Sequence, residues 1–342
     1  MPINITGKVT SFDIAYRAGV SQPTVSRALR GDRSVSPATR ERIERIAREL
    51  NYTVDKNASA LRTQRANTIA LLFFEDPAPD DSHINPFFLS MLGSITRAAS
   101  ARNLDLLVSF QRMEDDWHTR YQDSHRADGL ILLGYGDNML YQERLEQLAA
   151  QGTRFVRWGP LEAHEAGAVV GSDNLAAGRA AGEHLLAQGC RTIAFLGQAN
   201  ASYPEFLSRF NGLCAAVGGG VLQQGALSSE ADGYAAVQAL LASGHRPDGI
   251  FAGSDLIACG ALRALADHGL RVPDDTAVIG FDNIPAAALT SPSLTTIEQD
   301  TARAAEQLTE ALVRQIGGAA PETLVLPTRL IARGSTRRAP VR

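Results

Sequence analysis

AGVSQPTVSRAL, residues Ala18 to Leu29, carries two patterns at once. Val25, Ala28 and Leu29 recur at the spacing of one helix face. Gln22, Pro23, Ser26 and Arg27 fall on the other side of the same helix. Ser21 stands where an N-cap is needed, and Pro23 sits in the first turn, where a missing N–H costs nothing. Upstream, TSFDIAYRAG predicts a helix that starts at Thr10, with Asp13 placed to complete a capping box. Ile14, Ala15 and Ala18 share a face there, and Gly19 suits the left-handed end of that helix. Downstream, SVSPATRERIERIARELNY has Ser36 as cap and Pro37 at the first helical position. Ile43, Ile46, Ala47 and Leu50 then supply its apolar stripe.

Three short helices with a four-residue turn, AGVS, between the first two form a helix-turn-helix. In that motif the start of the second helix faces the DNA major groove. The exposed residue types fit: amide for adenine, guanidinium for guanine or phosphate, hydroxyls for either, and a proline ring for a thymine methyl. Charge agrees. Residues 1–62 hold eleven Lys and Arg against six Asp and Glu, a balance of +5. The rest of the chain has 33−11=22 basic and 37−6=31 acidic residues, a balance of −9. A basic head on an acidic body points to a polyanionic partner for the head.

VTSFDIAYRAGVSQPTVSRAL followed by VSPATRERIERIARELNY resembles the head of the lactose-repressor (LacI/GalR) family of transcription regulators. The family's elements are V-T, D-V-A (Asp13-Ile14-Ala15 here), A-G-V-S, T-V-S-R-x-L, V-S, T-R and E-L-N-Y, nearly all present and in register. The resemblance implies operator contacts from Thr10, Ser21, Gln22, Pro23, Thr24, Ser26, Arg27 and Tyr52. It also implies a hinge over residues 51–66, in which Leu61, with Ala58 one turn before it, wedges into the minor groove. Two departures stand out: Val54-Asp55 replaces the family's Pro-Asn, and Ser59 replaces a basic or amide residue.

Beyond Asn67, apolar runs alternate with helix-length segments such as Asn174–Gln188 and Leu256–His268. TIALLFF, LDLLVSF, GLILLG, RFVRWG, TIAFLG, GIFAGS and TAVIGFD read as buried parallel strands. The fold class is therefore α/β: an all-helical head on a body of two doubly wound halves, with ligands expected outside the carboxyl ends of the strands. The body also resembles the same family, whose body shares its fold with periplasmic sugar-binding proteins. The matching stretches are GSDNLAAGRAAGEHLLAQGCRTIAFLG, SRFNGL, GIFAGSDLIACGALRALADHGLRVPDDTAVIGFDN and SPSLTTIEQD. It implies a head over 1–50 and a body over 67–342. The N-subdomain spans about 67–170 plus 298–325, and the C-subdomain about 171–297 plus 326–342, with three crossovers between them.

The resemblance further implies an effector pocket. Asp282 accepts hydroxyl hydrogen bonds, Arg209 supplies a donor fork, Phe87 and Phe88 cover the ligand, Trp158 and Tyr135 close strands, and Ser254 stands where an amide or acid is common. A plain structural role is the alternative for each: core packing for Phe88, an anchor between subdomains for Trp158, an ion pair for Asp282 with Arg209. Gly159 and Ser228 replace polar or aromatic residues of other members, which leaves a roomier, one-sidedly aromatic pocket.

The composition, 44% hydrophobic and 20% charged, is that of a globular chain. No run of about 18 apolar residues and no secretory leader is visible, so a cytoplasmic location is expected. Cys190, Cys214 and Cys259 lack metal-ligand spacing, and the seven histidines show no HExxH pattern, so no metal or cofactor is expected. No Walker A, G-x-S-x-G or complete G-x-G-x-x-G occurs, which speaks against an enzyme carrying a helical head. A transport-type solute-binding protein would lack the helix-turn-helix. The expectation is a sugar-responsive, allosteric repressor acting as a homodimer on a pseudo-palindromic operator.

Overall fold

Thr10 opens the head. Its backbone N–H and its hydroxyl both donate to Asp13 Oδ2, at 2.8 and 2.7 Å. These bonds hold the Asp13 carboxyl below its ordinary value and start helix α1 (Ser11–Ala18). Gly19 ends it at φ +63°, a left-handed position that a side chain would resist. Helix α2 (Gln22–Leu29) follows, and α3 (Pro37–Glu49) starts where Ser36 Oγ accepts the Thr39 N–H. Ile14, Ala15, Ala18, Val25, Ala28, Val35, Ile43, Ile46 and Ala47 form the buried core of the head. Leu29 and Leu50, expected in that stripe, are only half-buried at its edge.

The computed structural model describes residues 9–29, 31–52, 65–75, 84–111, 115–135, 138–161 and 166–336, without the side chains of Glu75, Tyr135 and Leu140. The expected hinge residues Ala58 and Leu61 lie outside the described residues. The chain divides between Ala66 and Asn67 into two compact units, the head and the body.

The body contains two six-stranded sheets. The first joins β1 (Thr68–Glu75), β2 (Asp105–Phe110), β3 (Gly129–Tyr135), β4 (Phe155–Trp158), β5 (Ala168–Ser172) and β11 (Thr323–Leu326) in the order β11-β5-β4-β3-β1-β2. The second joins β6 (Ile193–Leu196), β7 (Leu222–Gln224), β8 (Gly249–Ala252), β9 (Ala277–Asp282), β10 (Thr295–Gln299) and β12 (Thr328–Ile331) in the order β12-β10-β9-β8-β6-β7. Among the described residues all pairings are parallel except β10 with β12. The intervening helices are α4 (Pro86–Ala101), α5 (Asn138–Ala150), α6 (Asn174–Ala187), α7 (Pro204–Val217), α8 (Glu230–Ala242), α9 (Asp255–Asp267) and α10 (Thr301–Ile316).

Strands β4, β5, β6, β8 and β9 are buried along their whole length. That is why β6, β8 and β9 read as apolar runs, whereas β4 buries Arg157 within its run and β5 is a strand outside the runs read from the sequence. LDLLVSF departs from that reading. It forms the edge strand β2, and Val108 and Phe110 remain 47% and 53% exposed. Three passages change sheet: β5 to α6 at Asp173, β10 to α10 at Asp300, and β11 to β12 at Pro327. Asp173 and Asp300 are both helix N-caps, accepting the N–H groups of Ala176 and Arg303. The first two passages leave from carboxyl strand ends, so those ends of the two sheets meet and define a cleft.

Candidate functional site

On the head, Ser21, Pro23 and Arg27 are exposed, while Gln22, Thr24, Ser26 and Tyr52 are half-buried. Gln22 Nε2 donates to Ser11 Oγ at 3.1 Å, which ties the start of α2 to the start of α1. The hydroxyls of Ser21 and Thr24 pair at 2.9 Å, and that of Thr10 is spent on Asp13. Tyr52 donates its N–H to the Ala47 carbonyl at 2.9 Å and packs on the head core. Pro23 and Arg27 are thus the most open of the expected operator-facing groups.

The cleft is built from residues that are distant along the chain. Arg209, on α7, is 2% exposed. Its Nε donates to Asn174 Oδ1 at 2.8 Å and one terminal nitrogen to the Gly253 carbonyl at 2.5 Å. The guanidinium lies 3.5 Å from the centre of the Phe281 ring, a cation–π contact. Asp282 ends β9, 4% exposed, with φ +110°. Gln299 Nε2 donates to its Oδ1 at 2.7 Å. Burial pushes the Asp282 carboxyl up to about 7, against the opposite pull of Arg209 and Gln299. Arg209 thus acts on Asp282 through space while its Nε and one terminal nitrogen bond to Asn174 and Gly253.

On the facing side, Asn85 caps α4 by accepting the Phe87 N–H at 3.0 Å. The Phe87 ring packs 6.0 Å from Trp158 and 5.3 Å from Phe88, centre to centre. A cavity of about 510 Å³ lies beside it, lined by Phe87, Ser90, Asp282, Asn283, Gln299 and Thr301 among others. Phe88 is wholly buried behind Phe87. Tyr135 closes β3, but its side chain lies outside the described residues.

Ser254 is also fully buried. It caps α9 by accepting the Ile257 N–H and bonds to Ser228 Oγ at 2.8 Å. Asn85 Nδ2 reaches Ser228 Oγ at 3.4 Å, so two helix caps, one from each subdomain, meet through one hydroxyl. Among the described residues no cluster of metal-ligating side chains occurs, and no helix is long and apolar enough to cross a membrane. A second cavity of about 410 Å³ lies at the amino ends of β8 and β9, walled by Val237, Leu240, Leu241 and Leu265, away from these polar groups.

Sequence reasoning missed Asn174 and Gln299. Gln299 was visible in the TTIEQD stretch, but only the pairing of β9 with β10 places its amide on Asp282.

Residues 12–55 match the family described as bacterial regulatory proteins, lacI family, and residues 183–336 match the periplasmic binding protein-like domain. The chain is 33% identical to the HTH-type transcriptional regulator CelR of Thermobifida fusca, over 94% of this chain and 96% of that protein. The chain belongs to the lacI family. Another relative, the ribose operon repressor of Halalkalibacterium halodurans, is 31% identical over 96% of this chain and 97% of its own length. A solved structure described as a transcriptional regulator CelR–cellobiose complex superimposes with a TM-score of 0.70 and 29% identity, covering 96% of this chain and 99% of that one. As a lacI-family member the chain is a DNA-binding transcriptional regulator and not an enzyme.

Proposed function

We propose that this regulator is a repressor of carbohydrate-utilisation genes whose grip on its operator is set by a small sugar in the cleft. The observation that carries the effector reading is the pairing of walls around the cavity of about 510 Å³. One wall is aromatic, Phe87 backed by Trp158. The other presents the Asp282 carboxyl with Gln299, steadied by the nearby Arg209 guanidinium. An apolar ring face opposite a few fixed polar groups is the arrangement a pyranose requires, since its C–H faces and hydroxyl rim differ in the same way. CelR, similar over almost the whole chain, has a structure with cellobiose, which makes a glucose disaccharide the first compound to try.

Operator contact is assigned to the exposed side of α2, foremost Pro23 and Arg27, with Gln22, Thr24, Ser26, Ser21, Thr10 and Tyr52 around them. Two heads, and hence a homodimer in the cytoplasm, meet a two-fold operator. The test pairs selection of bound sequences from random duplex DNA with a thermal-shift screen of neutral sugars. The expected result is a pseudo-palindromic site whose affinity changes when a stabilising sugar is added. A ligand at 100 times its dissociation constant raises stability by about 2.7 kcal/mol. A selected operator whose affinity no stabilising sugar alters would overturn the effector reading.

A further inference from the structure

Behind the Asp282 turn lies a second carboxyl that the expected effector contacts do not include. Asp255, the first residue of α9, is 0% exposed. Its Oδ2 accepts the Ile284 N–H at 2.8 Å, and its Oδ1 accepts the Thr296 hydroxyl at 2.6 Å. The same Thr296 hydroxyl accepts the Asn283 N–H at 3.3 Å. Room for this carboxyl exists because position 280 is glycine; a Cβ there would collide with Asp255 Oδ1. Asp282 and Asn283 have φ of +110° and +56°, two successive left-handed residues that an unsupported chain disfavours. Asp255 therefore braces, from below, the turn that holds Asp282 toward the cavity.

We infer that Asp255 is a positioning residue of the effector site and works as a neutral acid, so that Asp255 and Asp282 carry a single negative charge between them. The inference rests on the effector cleft proposed above.

The charged surroundings decide which carboxyl keeps the proton. Arg209 faces Asp282 from α7 and favours its ionisation. From the C-terminal segment Arg333 also favours the charged form of Asp255, but as the weakest of the influences on it, and its guanidinium bonds to the Leu294 carbonyl and to Asn283 Oδ1. Glu298, on β10, is held by Arg329 and Asn283. On α9 itself stands Cys259, a thiol that burial, Asp255 and Glu230 of α8 together push up to about 11, so it adds no charge near neutrality. Burial and the neighbouring Asp282 raise Asp255 well above the ordinary carboxylate range, although Thr296 and Ile284 pull it down. Two carboxylates in one dry site do not both ionise. Hydroxyls donated by a sugar stabilise Asp282 as the anion, and Asp255 then keeps its proton.

Asparagine imitates the neutral acid at 255: its amide oxygen accepts the Ile284 N–H, and its NH2 donates to the Thr296 hydroxyl, which turns its own proton away as it must when a protonated Asp255 donates to it. The test uses the full-length protein. Infrared spectra of wild type at pH 8, where Asp282 has ionised, should show a protonated-carboxyl band that Asp255→Asn removes; this arm needs no effector. With cellobiose as probe, Asp255→Asn should bind within about threefold of wild type, and Asp255→Ala should lose at least about tenfold. Affinity in both wild type and Asp255→Asn should fall about tenfold from pH 8 to pH 6, as Asp282 takes up its proton. Absence of the infrared band overturns the inference. So does an Asp255→Asn protein that is folded but has lost cellobiose, or one whose pH profile moves to lower pH, since that would mean a charge had been removed. If wild type ignores cellobiose, the effector reading loses its first candidate, while the infrared band still decides the protonation of Asp255.

Discussion

Arg27 and Arg209 are the same side chain at opposite ends of the solvent scale. Arg27 is exposed on α2, on the side of the helix proposed to meet the operator. Arg209 is 2% exposed, its fork committed to Asn174 and Gly253 and its face to Phe281. An exposed guanidinium adds little to folding and keeps its charge for a polyanion, so its contribution is read in binding and in salt dependence. A buried one is part of the fold, and removing it leaves the Asn174 and Gly253 acceptors unpaired and the Asp282 carboxyl without its neighbouring positive charge. The head can therefore exchange exposed residues such as Arg27 at small cost in stability. The cleft cannot exchange Arg209 so freely, because its guanidinium is bonded into the fold.

The largest effect expected from this contrast is at Arg209. Arg209→Ala should destabilise the body by about 3–5 kcal/mol in chemical denaturation and abolish the sugar response. Arg209→Lys should restore little, since an ammonium cannot span two acceptors. A melting profile unchanged from wild type would remove the distinction between the two arginines.

Asp282 comes next. Its folded value, raised to about 7 from 3.8, means that the folded state binds the proton more tightly than the unfolded one. Stability from this group is full below about pH 4 and is lost as pH rises to about 7. Asp282→Asn should thus be more stable than wild type at pH 7.5, on the order of a few kcal/mol, and gain little at pH 4, while losing the sugar response. Equal melting shifts at both pH values would count against a buried, titrating Asp282.

Arg27→Ala should leave melting unchanged and weaken operator binding by about 1–3 kcal/mol if the guanidinium reads a base. If it meets phosphate alone, the loss should be the same on every sequence, and the salt slope should drop by about one.

The smallest effect is expected at Thr10. Thr10→Ala removes one of the two bonds to Asp13 and should cost the head about 1 kcal/mol without touching the body. A body transition that moves with it would show that the two units do not melt independently.

The amino-acid sequence by itself determined the helices of the head, the α/β class of the body and the strand ends at which Asp282 and Trp158 stand. These features are local. Capping by Thr10 and Ser36, the left-handed Gly19 and unbroken apolar runs act over a few residues, and each is written in adjacent letters. Only the tertiary structure decided that LDLLVSF is a half-exposed edge strand, because exposure depends on which strand has no outer neighbour. It likewise decided that Arg209 turns to Asn174 and Gly253, that Gln299 meets Asp282 from the next strand, and that the buried Ser254 cap meets Ser228. Asp255 reads in the sequence as one more acid at a helix start, where acids are common. Its burial under Gly280 and the Asp282 turn arises only when α9, β9 and β10 pack, and burial beside a second carboxyl is what changes its chemistry.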